Sequence, residues 1–384
     1  MCHALVEPIS DPVMRRTVAY EIPVYEPQLG NEERAAVIKC FDSNWISSDG
    51  AFIGEFEREF AAYTGTAAAA TVCNGTVALH LCLLALGIGP GDEVIVPTLT
   101  YVASANAVMY VGATPVFVDS EEETWQMSLD DVRRAITPRT RAIMAVHLYG
   151  QACDMDALSE LAREHRLLLI EDCAEAIGTR WNGKHVGTFG DIASFSFYGN
   201  KTITTGEGGM VVSQSLSLDE RVRHLRGQGL AQFREYWHDV VGYNYRMTNI
   251  CAAIGVAQLG KVESILARKK AIDELYRAEL GSQVTFQKLM PECVHSRWMT
   301  CFVLKQDRGR DDVRRKLTEL GIETRPVFYP VHLMPMYSHL YRRLTVAESL
   351  GRRGINLPSH PGLSDEQVLD VCRAVRDAIG VCLG

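Results

Sequence analysis

No Cys-x-x-Cys pair occurs among the eleven cysteines of this 384-residue chain, and their number is odd. That pattern excludes a zinc cluster or a disulfide framework and fits reduced, mostly buried thiols such as Cys73, Cys82, Cys251 and Cys301. No run of about 18 apolar residues is present, so no membrane span is expected. Met1 to Arg16 carries acidic residues and lacks an apolar segment of signal-peptide length, which points to a cytoplasmic protein. Internal repeats and low-complexity tracts are also missing. The formal charge of −8 argues against a nucleic-acid surface. A G-x-x-x-x-G-K phosphate loop is absent, and Gly206-Glu207-Gly208-Gly209 has the wrong order for a dinucleotide fingerprint, with no helix after it.

What remains is ordinary for a folded protein: 47% hydrophobic and 22% charged residues, at a length that suits a large domain with a smaller companion. After a poorly patterned leader and extended arm (1–30), Asn31 opens a helix with Glu32 and Glu33 in its first turn. Phe52, Phe56 and Phe60 recur at helical spacing. From Ala67 the pattern alternates strand, turn and helix: strands at Ala67–Cys73, Glu93–Val96, Thr114–Val118, Arg141–Leu148, Leu167–Ile170, Ile192–Phe197 and Gly209–Ser213. Helices are predicted at Val77–Leu86, Thr98–Val111 and Asp156–His165. Continuous apolar strands between helices imply an α/β fold with a mainly parallel seven-stranded sheet covered on both faces. This large unit spans 31–249. A long helix from Ile250 towards Leu280 opens a smaller C-terminal α/β domain (250–384), with strands at Val294–Leu304 and Thr324–Phe328 and helices at Asp311–Leu320 and Asp365–Ile379.

In such sheets ligands sit beyond the carboxyl ends of the strands, and Asn74, Thr98, Asp172 and Lys201 all fall there. Lys201 follows the strand break at Gly199-Asn200. An amine desolvated at that position loses proton affinity and can attack a carbonyl to form a Schiff base, although a loop lysine alone is commonplace. Asn74-Gly75-Thr76 offers backbone N–H groups to an anion at a helix start, and Ser196 can add a hydroxyl. Tyr101 can lie against a flat ring. Asp172, ending the run Leu167-Leu168-Leu169-Ile170, can hold a protonated ring nitrogen in a low-dielectric setting or can cap the next segment. Glu175, three residues on, can hydrogen-bond the hydroxyl side of the same ring or simply cap. No metal site is expected.

The segments Asn74-Gly75-Thr76, Pro97-Thr98-Leu99-Thr100-Tyr101, Glu171-Asp172-Cys173-Ala174-Glu175, Ser196-Phe197-Tyr198-Gly199-Asn200-Lys201, Gly206-Glu207-Gly208-Gly209 and Tyr243-Asn244-Tyr245-Arg246-Met247 together resemble the DegT/DnrJ/EryC1/StrS family of pyridoxal-phosphate sugar aminotransferases. The likeness runs in order from about Pro23 to Pro361. It implies the aspartate-aminotransferase fold (fold type I), pyridoxal 5'-phosphate as cofactor, and a homodimer with a shared active site. By resemblance, Lys201 is the Schiff-base lysine and Asp172 the partner of the pyridine nitrogen. Glu175 lies at the ring hydroxyl, where many relatives have Gln or His, and Tyr101 stacks on the ring. Gly75, Thr76 and Ser196 hold the phosphate with Asn244 of the other subunit. Trp45 and Ser47, with Arg325 and His332, are expected to touch the sugar nucleotide. The resemblance further implies L-glutamate as donor and a 4-keto-6-deoxy sugar nucleotide as acceptor, foremost GDP-4-keto-6-deoxymannose. Amination of another keto sugar at C3 or C4, an 8-amino-octulosonate-forming reaction, a non-catalytic regulator and a dehydratase are the alternatives. Relatives that dehydrate replace the lysine by histidine, so Lys201 favours transamination.

Overall fold

The computed structural model describes residues 20–383; the leader expected before Tyr20 lies outside the described residues. Seven strands form the central sheet: β1 (Ala68–Val72), β2 (Glu93–Pro97), β3 (Thr114–Val118), β4 (Thr140–Val146), β5 (Leu168–Asp172), β6 (Ile192–Ser196) and β7 (Gly209–Ser213). Their spatial order is β1-β7-β6-β5-β4-β2-β3. Every pair from β3 to β6 is parallel, whereas β7 runs antiparallel to both β6 and β1.

Period two decides which core each strand residue joins. Val94, Val96, Met144, Ile170 and Ile192 point into a cluster with helices Gly75–Ala85 and Ala103–Tyr110. Ile95, Ile143, Leu169 and Phe195 point the other way, towards Phe56, Phe60, Leu158 and Leu161. Both faces are therefore dry, which is why the strands read as unbroken apolar runs. Burying two faces also leaves the strand ends as the place where polar chemistry meets solvent. The carboxyl edge receives Asn74, Thr98, Asp172 and the loop after β6.

A second sheet of four antiparallel-paired strands, β8 (Val284–Phe286), β9 (Cys301–Leu304), β10 (Arg325–Pro326) and β11 (Gly354–Asn356), lies in the order β8-β9-β11-β10. Its core joins Ile272, Tyr276 and Leu280 to Phe302, Leu317, Ile355, Val371 and Val375.

Three expectations need correcting. The helix predicted from Ile250 to Leu280 is two helices, Asn249–Gly260 and Val262–Leu280, bent by 62°. The bend falls at Lys261, whose ammonium pairs with Glu33 at 2.5 Å; the first helix packs on Asn31–Asp42 and Ala51–Thr64 rather than on the smaller sheet. Among the described residues no single helix is long and apolar enough to cross a membrane. The strand expected at Val294–Leu304 is interrupted, since only Cys293–Val294 and Cys301–Leu304 pair, and Arg297 between them has a left-handed backbone, φ 53°. Finally, Thr98–Val102 is not helical: the helix begins at Ala103, because the hydroxyls of Thr100 and Ser104 bond one another (2.9 Å) and engage neighbours outside the helix.

Gly255 fixes how the first of the two helices crosses Ala51–Thr64. A Cβ there would sit 2.6 Å from the Phe56 ring, itself wedged beside Phe60 and Phe197. Gly255→Val should lower the unfolding free energy by about 2 kcal/mol in urea titration; an unchanged midpoint would mean the ring yields freely.

Candidate active site

Helix Gly75–Ala85 starts where it does because Asn74 caps it, accepting the Val77 N–H at 3.0 Å. Its first N–H groups, otherwise without partners, open into the cavity. Gly75 is required by close approach: a Cβ there would lie 2.7 Å from the Ser196 Cβ. Gly209, opening β7, is pressed against the Asn74 carbonyl in the same way, at 2.6 Å. The Gly206-Glu207-Gly208-Gly209 turn thus closes on the capped helix start.

Beyond this edge lies a cavity of about 800 Å³ lined by Gly75, Thr76, Tyr101, Asp172, Glu175, Ser196, Lys201 and Arg325. Eight of the residues singled out in the sequence meet here. Four do not. Asn244 is exposed elsewhere on the chain. Trp45 and Ser47 are exposed too, in a loop whose carbonyls accept from Asn249: Nδ2 to Trp45 and N–H to Ser47, each at 2.7 Å. His332 is buried outside the cavity, its Nδ1 2.7 Å from Thr98 Oγ1 and its Nε2 3.4 Å from Glu348. That imidazole braces the loop after β2 instead of facing the cavity.

Asp172 is buried at the cavity floor. Ser104 Oγ donates to its Oδ2 at 2.8 Å, and the Ala174 N–H to its Oδ1 at 3.1 Å. Burial pushes its carboxyl up; Ser104, the Ala174 N–H and Lys201 oppose that push. Glu175 accepts the Tyr149 N–H at 2.7 Å, and burial raises it to about 7 against the pull of Lys201. The Lys201 amine stands 4.0 Å from Glu175 Oε1, outside hydrogen-bond reach, and 4.0 Å from the centre of the Trp298 indole. Burial lowers its proton affinity, while Glu175 and then Asp172 restore part of it.

A buried amine and two buried carboxyls with an empty volume between them fit a phosphorylated pyridine aldehyde. The aldehyde would meet Lys201, the ring nitrogen Asp172, and the phosphate the capped helix start beside Ser196. The trio His147, Glu171 and Cys173 has metal-like spacing, but the lone pairs of its imidazole and carboxylate are taken. Glu171 accepts from Gly187, Phe189 and Gly190 N–H and meets His147 Nε2, while His147 Nδ1 accepts from the Cys153 N–H. It braces the strand end that presents Asp172.

Sequence reasoning missed Ser104, Trp298, Phe328 and the Tyr149 N–H. Ser104 carried a readable signal, four residues beyond Thr100 and just past a strand. Trp298 carried none, because a strand spanning Val294–Leu304 would have given it a packing role.

Because Glu175 is the leading group that restores charge to Lys201, Glu175→Gln should shift the Lys201 titration downward. Chemical labelling of Lys201 as a function of pH in cofactor-free protein checks this. The amine of the variant should become reactive at lower pH than that of the wild type, and a shift upward would contradict the assignment.

Residues 27–376 match the model of the DegT/DnrJ/EryC1/StrS aminotransferase family. The chain is 56% identical to a GDP-perosamine synthase of Escherichia coli O157:H7, over 93% of this chain and 98% of the relative. It is 53% identical to one of Vibrio cholerae over 93% of this chain and 98% of the relative. Among solved structures, the PMP-form of the putative sugar aminotransferase Spr1654 from Streptococcus pneumoniae superposes with a TM-score of 0.91 at 31% identity, covering 95% of this chain and 99% of that one. DesV of S. venezuelae superposes at 0.86 and 39% identity, over 90% of this chain and 94% of that one. The chain belongs to the DegT/DnrJ/EryC1/StrS aminotransferase family.

Proposed function

We propose that the protein transfers the amino group of L-glutamate to the keto carbon of GDP-4-keto-6-deoxymannose, forming GDP-perosamine, with pyridoxal 5'-phosphate as cofactor. The observation that carries this reading is the meeting of Lys201, Asp172 and Glu175 at one sheet edge, in a chain more than half identical to two proteins called GDP-perosamine synthase. Bound pyridoxal phosphate supplies an electron sink for the substrate carbanion.

The protein's own groups do the rest. Lys201 Nζ, whose proton affinity burial has lowered, accepts a proton from the donor carbon and returns it as general acid. Asp172, whose charged form its Ser104 and Ala174 donors favour against the cost of burial, would hold positive charge at the ring nitrogen. Glu175 serves the ring hydroxyl and Tyr101 its face. Gly75, Thr76 and Ser196 bind the phosphate. Arg325, exposed at the mouth, meets the nucleotide-sugar phosphates. Residues 31–249 bind the cofactor in this reading, while 250–384 close the cavity with Trp298, Arg325 and Phe328.

The shared site of a homodimer belongs to the same proposal. Trp45, Ser47 and Asn244 lie off their own chain's cavity, and Asn249 ties the Trp45 loop to the segment bearing Asn244. Exposed Phe41, Trp45 and Ile46 give that face apolar area for a second copy. Cytoplasmic residence is supported by ten unpaired cysteines among the described residues.

Purified protein should carry a visible cofactor band that glutamate bleaches. With glutamate as donor, GDP-4-keto-6-deoxymannose should be aminated in preference to UDP- and dTDP-linked keto sugars; preference for one of those would reassign the substrate. Lys201→Ala should abolish turnover. Mixed dimers of Lys201→Ala and Asn244→Ala chains should regain activity that neither homodimer has, and failure to do so would sink the shared site.

A further inference from the structure

The backbone around Lys201 is held by groups from outside the sheet that carries it. The Trp298 indole N–H donates to the Asn200 carbonyl at 2.7 Å. The Tyr25 hydroxyl, on the N-terminal arm, donates to the Lys201 carbonyl. The loop's own bonds are the Lys201 N–H to the Tyr198 carbonyl at 2.9 Å and, closing it more widely, the Thr205 N–H and Thr204 hydroxyl to the Phe197 carbonyl at 2.9 and 3.0 Å; none of these reaches the Asn200 or Lys201 carbonyl. Trp298 is buried, with Tyr149 stacked on it at 6.0 Å and 13°, and Phe328 stacked on Tyr149 at 5.3 Å and 15°.

The segment presenting Trp298 is strained and anchored. Arg297 has a left-handed backbone at φ 53°, unfavourable for a residue with a side chain. Its guanidinium reaches back to Asp273 on helix Val262–Leu280 at 2.9 Å, and the Thr300 hydroxyl donates to the other oxygen of Asp273 at 3.2 Å. Both partners are buried. The ion pair therefore holds the chain in the conformation that turns residue 298 towards Asn200. A regular strand through this segment, as its apolar pattern would permit, would not need that conformation.

We infer that Trp298 is a positioning residue for Lys201: tethered through Arg297 to Asp273, and assisted by Tyr25, it fixes the lysine loop so that the released amine stays beside Glu175 and Asp172. This rests on Lys201 being the cofactor lysine. The role differs from core packing in one respect, because it requires the indole N–H as well as the ring. It also differs from relief of strain, because a glycine at 297 would adopt the left-handed backbone freely yet lose the ion pair.

The test uses full-length protein without cofactor, so its outcome is independent of the sugar panel. In Trp298→Phe, which keeps a ring and loses the donor, amide exchange across Gly199–Thr202 should quicken roughly fivefold, the worth of one net hydrogen bond. The loosened loop admits water and relieves the burial that lowers the amine, so the Lys201 labelling profile should move to higher pH, the direction in which Glu175 and Asp172 already draw it. Arg297→Gly should move both readouts the same way. Tyr25→Phe should do so more weakly, and it decides the matter if Trp298→Phe fails to fold, as judged by thermal melting. Wild-type exchange and labelling in Trp298→Phe and Arg297→Gly, or in Tyr25→Phe where it must stand in, would overturn the inference. A wild type with no visible cofactor band would instead fail the functional reading and leave these readouts to be judged as loop mechanics.

Discussion

A lysine amine buried against two acids is the interaction on which the architecture turns. Alone, such an amine would simply lose its proton, and such carboxyls would take one up. Set 4.0 Å apart, Lys201 and Glu175 partly cancel one another's burial cost while leaving the amine short of a hydrogen bond. The arrangement stays poised: burial draws the proton affinity of the amine down and lifts Glu175 to about 7, which brings the two groups towards one another. Asp172 stands apart from this exchange. Its Ser104 and Ala174 donors favour its charged form against the cost of burial.

The fold supplies the dry surroundings that give these interactions their strength. Because both sheet faces are covered, the polar groups gather at the strand ends, where helix starts and tight turns meet. Three contacts leave little freedom there: Gly75 against Ser196, Gly209 against Asn74, and the Asn74 cap itself. The other wall comes from Arg325 in the smaller sheet and from Trp298 and Phe328 in the segments beside its strands. The cavity thus draws its lining from both parts of the chain.

Much of this was legible in the sequence because its signals are local. Strand runs such as Leu167–Ile170 and the breaks after them placed Asp172 and Lys201 at the correct edge. Gly75 marked the helix start that can hold an anion, whereas the close approach of Gly209 to Asn74 is seen only in the structure. Features set by distant partners were not legible. The break at Lys261 depends on Glu33, and the interruption at Arg297 depends on Asp273, each from another part of the chain. Reading Val294–Leu304 as one strand hid Trp298, the residue nearest in role to the lysine itself. By resemblance His332 is expected to touch the sugar nucleotide; pairing with Thr98 and Glu348 draws it inside, away from the cavity.

Covalent capture tests the central claim most directly. Protein loaded with pyridoxal 5'-phosphate, reduced with borohydride and digested, should carry the phosphopyridoxyl mass on the peptide containing Lys201 and on no other lysine. An unmodified Lys201, or the adduct on the second buried amine at Lys269, would contradict the account.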